Sequence, residues 1–166
     1  MADALTTLAT LAGARLKARG LKLVTAESCT GGWVAQAMTA ISGSSDWFER
    51  GFVTYSNEAK QEMLGVRAAT LDGEGAVSEA TAREMARGAL AASRGQVAVS
   101  ITGVAGPTGG TATKPVGMVC FGWALAGGGA DAATKHFQGD REQVRRQSVI
   151  FALQGVLERI GETSGE

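Results

Sequence analysis

Three apolar runs, Leu21 to Ala26, Phe52 to Thr54 and Val97 to Ile101, each end in small polar residues and glycine. Runs of that length, separated by stretches of helical spacing, describe parallel strands joined by crossover helices. In such a sheet the carboxyl ends of the strands open onto one crevice, where ligands meet helix N-termini and loop amides. The three clusters that follow the runs are therefore expected to converge. They are Glu27-Ser28-Cys29-Thr30-Gly31-Gly32, Tyr55-Ser56-Asn57-Glu58-Ala59-Lys60, and the segment from Thr102 through Gly103, Gly106, Gly109 and Gly110.

The remaining pattern fits the same class. Leu5 to Arg19 reads as an amphipathic helix, Gly31 to Ile41 as a second, and Gly51 to Tyr55 as a strand followed by a helix that Asn57 caps and Gly65 stops. Asp72-Gly73-Glu74-Gly75 reads as a turn or exposed loop, after which Ser78 caps a long helix. Val116 to Leu125 and Ala132 to Phe137 form an expected hairpin across Gly127-Gly128-Gly129, and Asp140 with Gln143 makes a capping box for a last helix. The expected architecture is a three-layer α/β/α sandwich on a mixed, mostly parallel sheet with one antiparallel hairpin. With 166 residues, 45% of them apolar, one domain over the whole chain is the default.

Composition narrows the chemistry. Basic and acidic residues number 16 each and aromatics make up 5%, so no basic, aromatic-studded face is at hand for nucleic acid. The longest uncharged apolar stretch, Val116 to Ala130, is glycine-broken and short of the ~20 residues of a membrane helix. Cys29 and Cys120 form no C-x-x-C, which suits a reducing compartment, and cytoplasm is the expected location. One histidine, His136, on an expected strand, supplies neither H-E-x-x-H nor a three-histidine site, so no metal is expected. Gly110 is followed by Thr111, not by the G-K-S/T ending of a Walker loop.

What is left is nucleophilic chemistry. Ser28 stands at a strand end just before Gly31-Gly32, where free amides hold an oxyanion, cap a helix or bind phosphate. The candidate bases are Lys60, Glu27 and Tyr55, the chain's one tyrosine. Lys60 is the best of these, because the first turn of a helix and partial burial both disfavour its ammonium. Tyr55 is placed to relay a proton or to fix the amine. Cys29 ranks second as nucleophile, its thiol pKa expected to fall at a helix start. The glycine loop reads as a phosphate cradle to which Lys114, Arg141 and Arg145 add charge.

The blocks T-A-E-S-C-T-G-G (Thr25 to Gly32), V-T-Y-S-N-E-A-K (Val53 to Lys60), G-A-V-S-E (Gly75 to Glu79), T-G-V-A-G-P-T-G-G (Thr102 to Gly110) and K-P-V-G (Lys114 to Gly117) occur in order. Together they closely resemble the CinA C-terminal domain family, which includes nicotinamide-nucleotide amidases. The resemblance implies hydrolysis of nicotinamide mononucleotide to nicotinate mononucleotide and ammonia, without cofactor, in a homodimer. It assigns Ser28, Tyr55 and Lys60 to catalysis, the Thr30, Gly31 and Gly32 amides to the oxyanion, and the loop around Gly103 and Gly106 to the nucleotide. Glu27, Thr102, Gly109, Gly110, Lys114 and Arg141 complete the expected substrate contacts. A non-catalytic nucleotide-binding or regulatory module is the alternative. The resemblance covers no counterpart of the N-terminal domain of longer members, so a pyrophosphatase activity attached to that domain is not expected. Glu49-Arg50-Gly51 departs from the more glycine-rich stretch expected there.

Overall fold

A computed structural model describes residues 3–161. The chain runs α1 (Ala4–Arg19), β1 (Leu23–Glu27), α2 (Trp33–Thr39), β2 (Phe48–Val53), α3 (Asn57–Leu64), α4 (Ala68–Glu74), α5 (Glu79–Ala91), β3 (Val97–Gly103), β4 (Met118–Leu125), β5 (Ala130–His136) and α6 (Arg141–Ile160). The five strands form one sheet in the order β2-β1-β3-β4-β5. β1 pairs in parallel with β2 and with β3, whereas β4 is antiparallel to both β3 and β5. Four strands therefore share one direction and β4 alone opposes them, as the mostly parallel sheet with a hairpin requires.

Alternation along the strands sorts side chains by size. Leu23, Val97, Val99, Ile101, Val119, Phe121 and Trp123 face α1, α2 and α6, where Leu16, Met38, Val149 and Leu153 complete the larger core. Phe121 is flanked by Trp123, Phe137 and Phe151 at ring-centroid distances of 5.9, 6.3 and 4.8 Å. The other face carries Val24, Ala26, Ala98 and Ala124 against Met85, Ala86 and Ala89 of α5. Small residues there let the helix come close, and Ser100 Oγ donates to Ala82 O at 2.6 Å. The result is the sandwich, with α5 covering one side and α1, α2 and α6 the other.

Several local expectations shift. Ser56, not Asn57, caps α3 by accepting from the Ala59 amide. α2 starts at Trp33, because Gly31 and Gly32 hold positive φ in the turn before it. β2 starts at Phe48, ahead of the expected Gly51. Asp72-Gly73-Glu74 is the end of α4, not a loop. That helix is anchored from a distance, since Glu84 of α5 accepts from the Arg67 amide at 2.9 Å and from Thr70 Oγ1 at 2.5 Å. Gly75, with φ of 87°, closes it.

The capping box of α6 is present: Asp140 Oδ1 accepts from the Gln143 amide at 2.9 Å and Gln143 Oε1 from the Asp140 amide at 2.8 Å. Urea unfolding followed by circular dichroism provides a check on both layers of this account. Phe121→Ala is expected to cost about 3–5 kcal/mol, the range for truncating a buried aromatic. Asp140→Ala is expected to cost about 0.5–2 kcal/mol, the range for losing a helix cap.

Candidate active site

β1 is flanked by β2 and β3 in level register, with Glu27 opposite Val53 on one side and Ile101 on the other. The segments that follow the three strands therefore emerge side by side. The Ser28 amide extends the β1–β3 ladder by donating to Ile101 O at 3.0 Å, and the Thr54 amide extends the β1–β2 ladder by donating to Glu27 O at 2.8 Å. Backbone pairing thus places Ser28 and the Thr54-Tyr55 peptides before any side chain is considered. A cleft of about 230 Å³ opens beyond them, lined by Ser28, Cys29, Tyr55, Asn57, Lys60, Ala76, Val77, Thr102, Gly103, Ala105 and Arg141.

Lys60 enters this cleft from the first turn of α3 and is 1% exposed. Its Nζ lies 3.1 Å from Ser28 Oγ, 3.0 Å from Thr54 O and, more weakly, 3.4 Å from Tyr55 O. All three neighbours are neutral oxygens. Burial without a carboxylate partner drives the Lys60 pKa below its ordinary 10.5. Carbonyl oxygens only accept, so a neutral amine spends its two N–H bonds on Thr54 O and Tyr55 O and turns its lone pair toward the Ser28 hydroxyl. The protonated amine donates to all three without moving. The same geometry serves both protonation states, which is what a general base must satisfy.

Cys29, the second candidate nucleophile, also borders the cleft. The expectation of a lowered thiol pKa fails, because burial pushes it up to about 12. A thiolate is therefore not available there near neutral pH.

Other expected contacts are redistributed. Glu27 is not free to meet a ligand or to act as base: Oε1 accepts from Thr30 Oγ1 at 2.6 Å and the Val34 amide at 2.9 Å, and Oε2 from the Ala35 amide at 3.0 Å. Its carboxylate holds the start of α2 instead. The Gly31 amide donates to Ser28 O at 3.0 Å and so is not an oxyanion donor. The amides of Cys29, Thr30 and Gly32 have no acceptor among the described residues. Tyr55 borders the cleft but is 65% exposed, and it meets Lys60 through its main-chain carbonyl, not its phenol.

In the glycine loop only Thr102 and Gly103 line the cleft, together with Ala105. Gly103 is tight against β4, where an added Cβ would stand 2.9 Å from Met118 O. Gly106, Gly109 and Gly110 lie outside the lining, since the loop folds back on Val116 and pairs Val104 with Met118 and Gly117. Lys114 is also drawn away, donating to Glu74 O. Arg141 stays in the cleft, its Nη1 donating to Gly106 O at 2.8 Å. Arg145 does not, because it binds the outer side of the Ser28–Gly32 turn.

The cleft also holds Asn57 and Ala105, which belong to the converging clusters but carry no expected role in the site, and Ala76 and Val77, which the strand-end reading missed. Ala76 is tied in by Thr102 Oγ1, which donates to Ala76 O at 2.9 Å. The available signal was their position inside the ordered sequence blocks. Among the described residues no three His, Cys, Asp or Glu side chains gather into a metal-binding group, and no helix is long and apolar enough to cross a membrane.

The family model of the CinA C-terminal domain matches residues 5–160. The chain belongs to the CinA C-terminal domain family. It is 60% identical over 142 residues to the nicotinamide-nucleotide amidohydrolase PncC of Escherichia coli (strain K12), covering 86% of each protein. To the protein of the same name from Pseudomonas putida it is 49% identical over 156 residues, 94% of this chain and 97% of the relative. The crystal structure of the competence/damage inducible protein CihA from Agrobacterium tumefaciens superposes with a TM-score of 0.92 at 42% identity, over 98% of both chains. The mixed sheet is thus a feature shared with a solved CinA-family structure.

The Lys60 pKa gives a stability test. In the unfolded chain the amine is protonated below about 10.5, whereas in the folded chain it loses its proton at lower pH. The unfolded state therefore binds more protons in that window, and stability rises with pH across it. The difference in unfolding free energy between the wild type and Lys60→Met is expected to move in favour of the wild type as pH rises toward 10.5, and back as pH falls. Urea titrations at a series of pH values read this directly.

Proposed function

We propose that this protein hydrolyses the carboxamide of nicotinamide mononucleotide, releasing ammonia and nicotinate mononucleotide, with Ser28 as nucleophile and Lys60 as base. The observation that carries the reading is the 3.1 Å approach of a buried, charge-unpaired amine to Ser28 Oγ at the wall of a cleft. The names of relatives with 49% and 60% identity over most of the chain support the substrate class.

The reaction follows from the atoms present. Lys60 Nζ takes the Ser28 hydroxyl proton as Oγ bonds to the amide carbon, and the carbonyl oxygen becomes an oxyanion. The unengaged amide of Cys29, which lines the cleft, is the donor at hand for that charge, whereas Thr30 is fully buried and Gly32 lies outside the lining. The Lys60 ammonium then protonates the leaving nitrogen, ammonia departs, and an ester to Ser28 remains. Water gives a proton to Lys60 and attacks the ester, restoring the serine and freeing the acid. No metal or organic cofactor takes part in these steps.

Arg141 is the cation that lines the cleft besides Lys60, and we assign it to the substrate phosphate in place of the more distant Lys114. The contribution of Tyr55 is through its carbonyl, which holds one N–H of Lys60. The protein acts in the cytoplasm on a small nucleotide, as a homodimer.

An ammonia assay on nicotinamide mononucleotide tests the proposal. Ser28→Ala is expected to lose on the order of 10⁴-fold or more of kcat, the scale seen when a nucleophile is removed. Lys60→Met should fall comparably, while Cys29→Ala and Tyr55→Phe keep most activity. Because the base must be neutral, kcat/KM of the wild type is expected to be present above the Lys60 pKa and to fall as pH drops through it, a limb that lies below 10.5. Tight binding of the nucleotide with no ammonia released, unchanged by Ser28→Ala, would leave the protein a nucleotide-binding module.

A further inference from the structure

We infer that Arg145 is a positioning residue that fixes the oxyanion donor beside Ser28 without touching substrate. The inference rests on the amidase reading above. Arg145 projects from α6 onto the turn between β1 and α2, where its Nε donates to Cys29 O at 3.0 Å and its Nη2 to Thr30 O at 3.1 Å. The guanidinium carbon sits 5.5 Å from the centre of the Trp33 ring, at the first residue of α2. The planar, forked guanidinium is suited to holding two consecutive carbonyls at once.

Holding those carbonyls dictates where the next amides point. Across a planar trans peptide, C=O and the following N–H are directed oppositely. With Thr30 O bound to Arg145, the Gly31 amide is turned away from α6, and it donates to Ser28 O. With Cys29 O bound, the Thr30 amide is turned away from the guanidinium in the same manner, and no acceptor among the described residues meets it. Thr30 is itself fully buried and its hydroxyl is committed to Glu27. The start of α2 supplies no alternative, because the Val34 and Ala35 amides are already taken by the Glu27 carboxylate. The donor left beside Ser28 in the cleft is thus the Cys29 amide, and its peptide is held at Ser28 O by the Gly31 amide, whose own plane Arg145 sets through Thr30 O. Glycine at position 31 fits this clamp: φ is 62°, and an added Cβ would stand 3.5 Å from Arg145 Nη2.

The test compares Arg145→Met and Arg145→Lys with the wild type in the full chain. Three quantities are measured: kcat and KM for nicotinamide mononucleotide, inhibition by the product nicotinate mononucleotide, and inhibition by pyridine-3-carbaldehyde. The aldehyde adds reversibly to the Ser28 hydroxyl to give a tetrahedral adduct. Arg145→Met is expected to lower kcat about 10²–10³-fold, the scale for removing one oxyanion donor, and to weaken aldehyde inhibition in parallel. KM and product inhibition should stay within about three-fold, since uniform binding is untouched. Arg145→Lys, with one donor centre in place of a fork, should recover part of kcat and serves as the test if the Met variant does not fold. Unchanged kcat in folded variants, or a loss of product binding that matches the loss of rate, overturns the inference. If the wild type itself frees no ammonia, the amidase reading falls and takes this one with it; a fully active Arg145→Met leaves the amidase reading standing alone.

Discussion

The site depends on an amine held out of water with no negative charge to keep it protonated. Placing a lysine at 1% exposure beside a hydroxyl and two carbonyls costs solvation, and the fold meets that cost with main-chain pairing on both sides of β1. Because the carboxyl end of β1 pairs with both neighbours in level register, Ser28 and the Thr54 carbonyl that holds the Lys60 amine are placed by main-chain hydrogen bonds. Segments that leave adjacent strands are held more closely than two on a free loop. The lysine, in turn, gains its direction from carbonyls of the β2–α3 connection.

Electrostatics divides labour around that pair. The Glu27 carboxylate is kept on donors at the start of α2, away from the amine, so it does not restore the charge that burial removes. Burial acts oppositely on the neighbouring thiol, where it disfavours the anion. One environment therefore favours the uncharged form of both the lysine amine and the cysteine thiol. In the proposed reaction, the choice of Ser28 over Cys29 rests on solvation and on which of them the amine reaches.

Much of this was legible in the residues. Strand ends followed by small polar clusters gave the convergence of three segments, and short apolar runs alternating with stretches of helical spacing gave the sandwich. Ser28 and Lys60 could be named as a candidate pair because one follows a strand end before Gly31-Gly32 and the other falls in the first turn of a helix after the neighbouring strand, and the structure brings them to 3.1 Å. What stayed hidden depended on partners far away in sequence. α4 looked like a loop because Gly73 and Gly75 dominate it locally, whereas its anchor, Glu84, comes from the next helix. Lys114 looked like a phosphate ligand until its tether to Glu74 O was seen, and Glu27 looked available until the turn it closes was built. The glycine loop misled for a related reason: positive φ and close packing on Val116 explain Gly106 and Gly110 without any ligand.

One consequence lies in the spacing along α6. Arg141 and Arg145 are four residues, or about 6 Å of rise, apart on that helix. The first reaches the cleft and Gly106 O, and the second grips the turn behind the serine. On the proposed reading, one helix thus presents Arg141 to the anionic group of the substrate and braces the turn that carries Ser28 through Arg145. On that reading, a ligand too short to meet Arg141 and Ser28 together loses its hold on Arg141, and the helix acts as a gauge of ligand length.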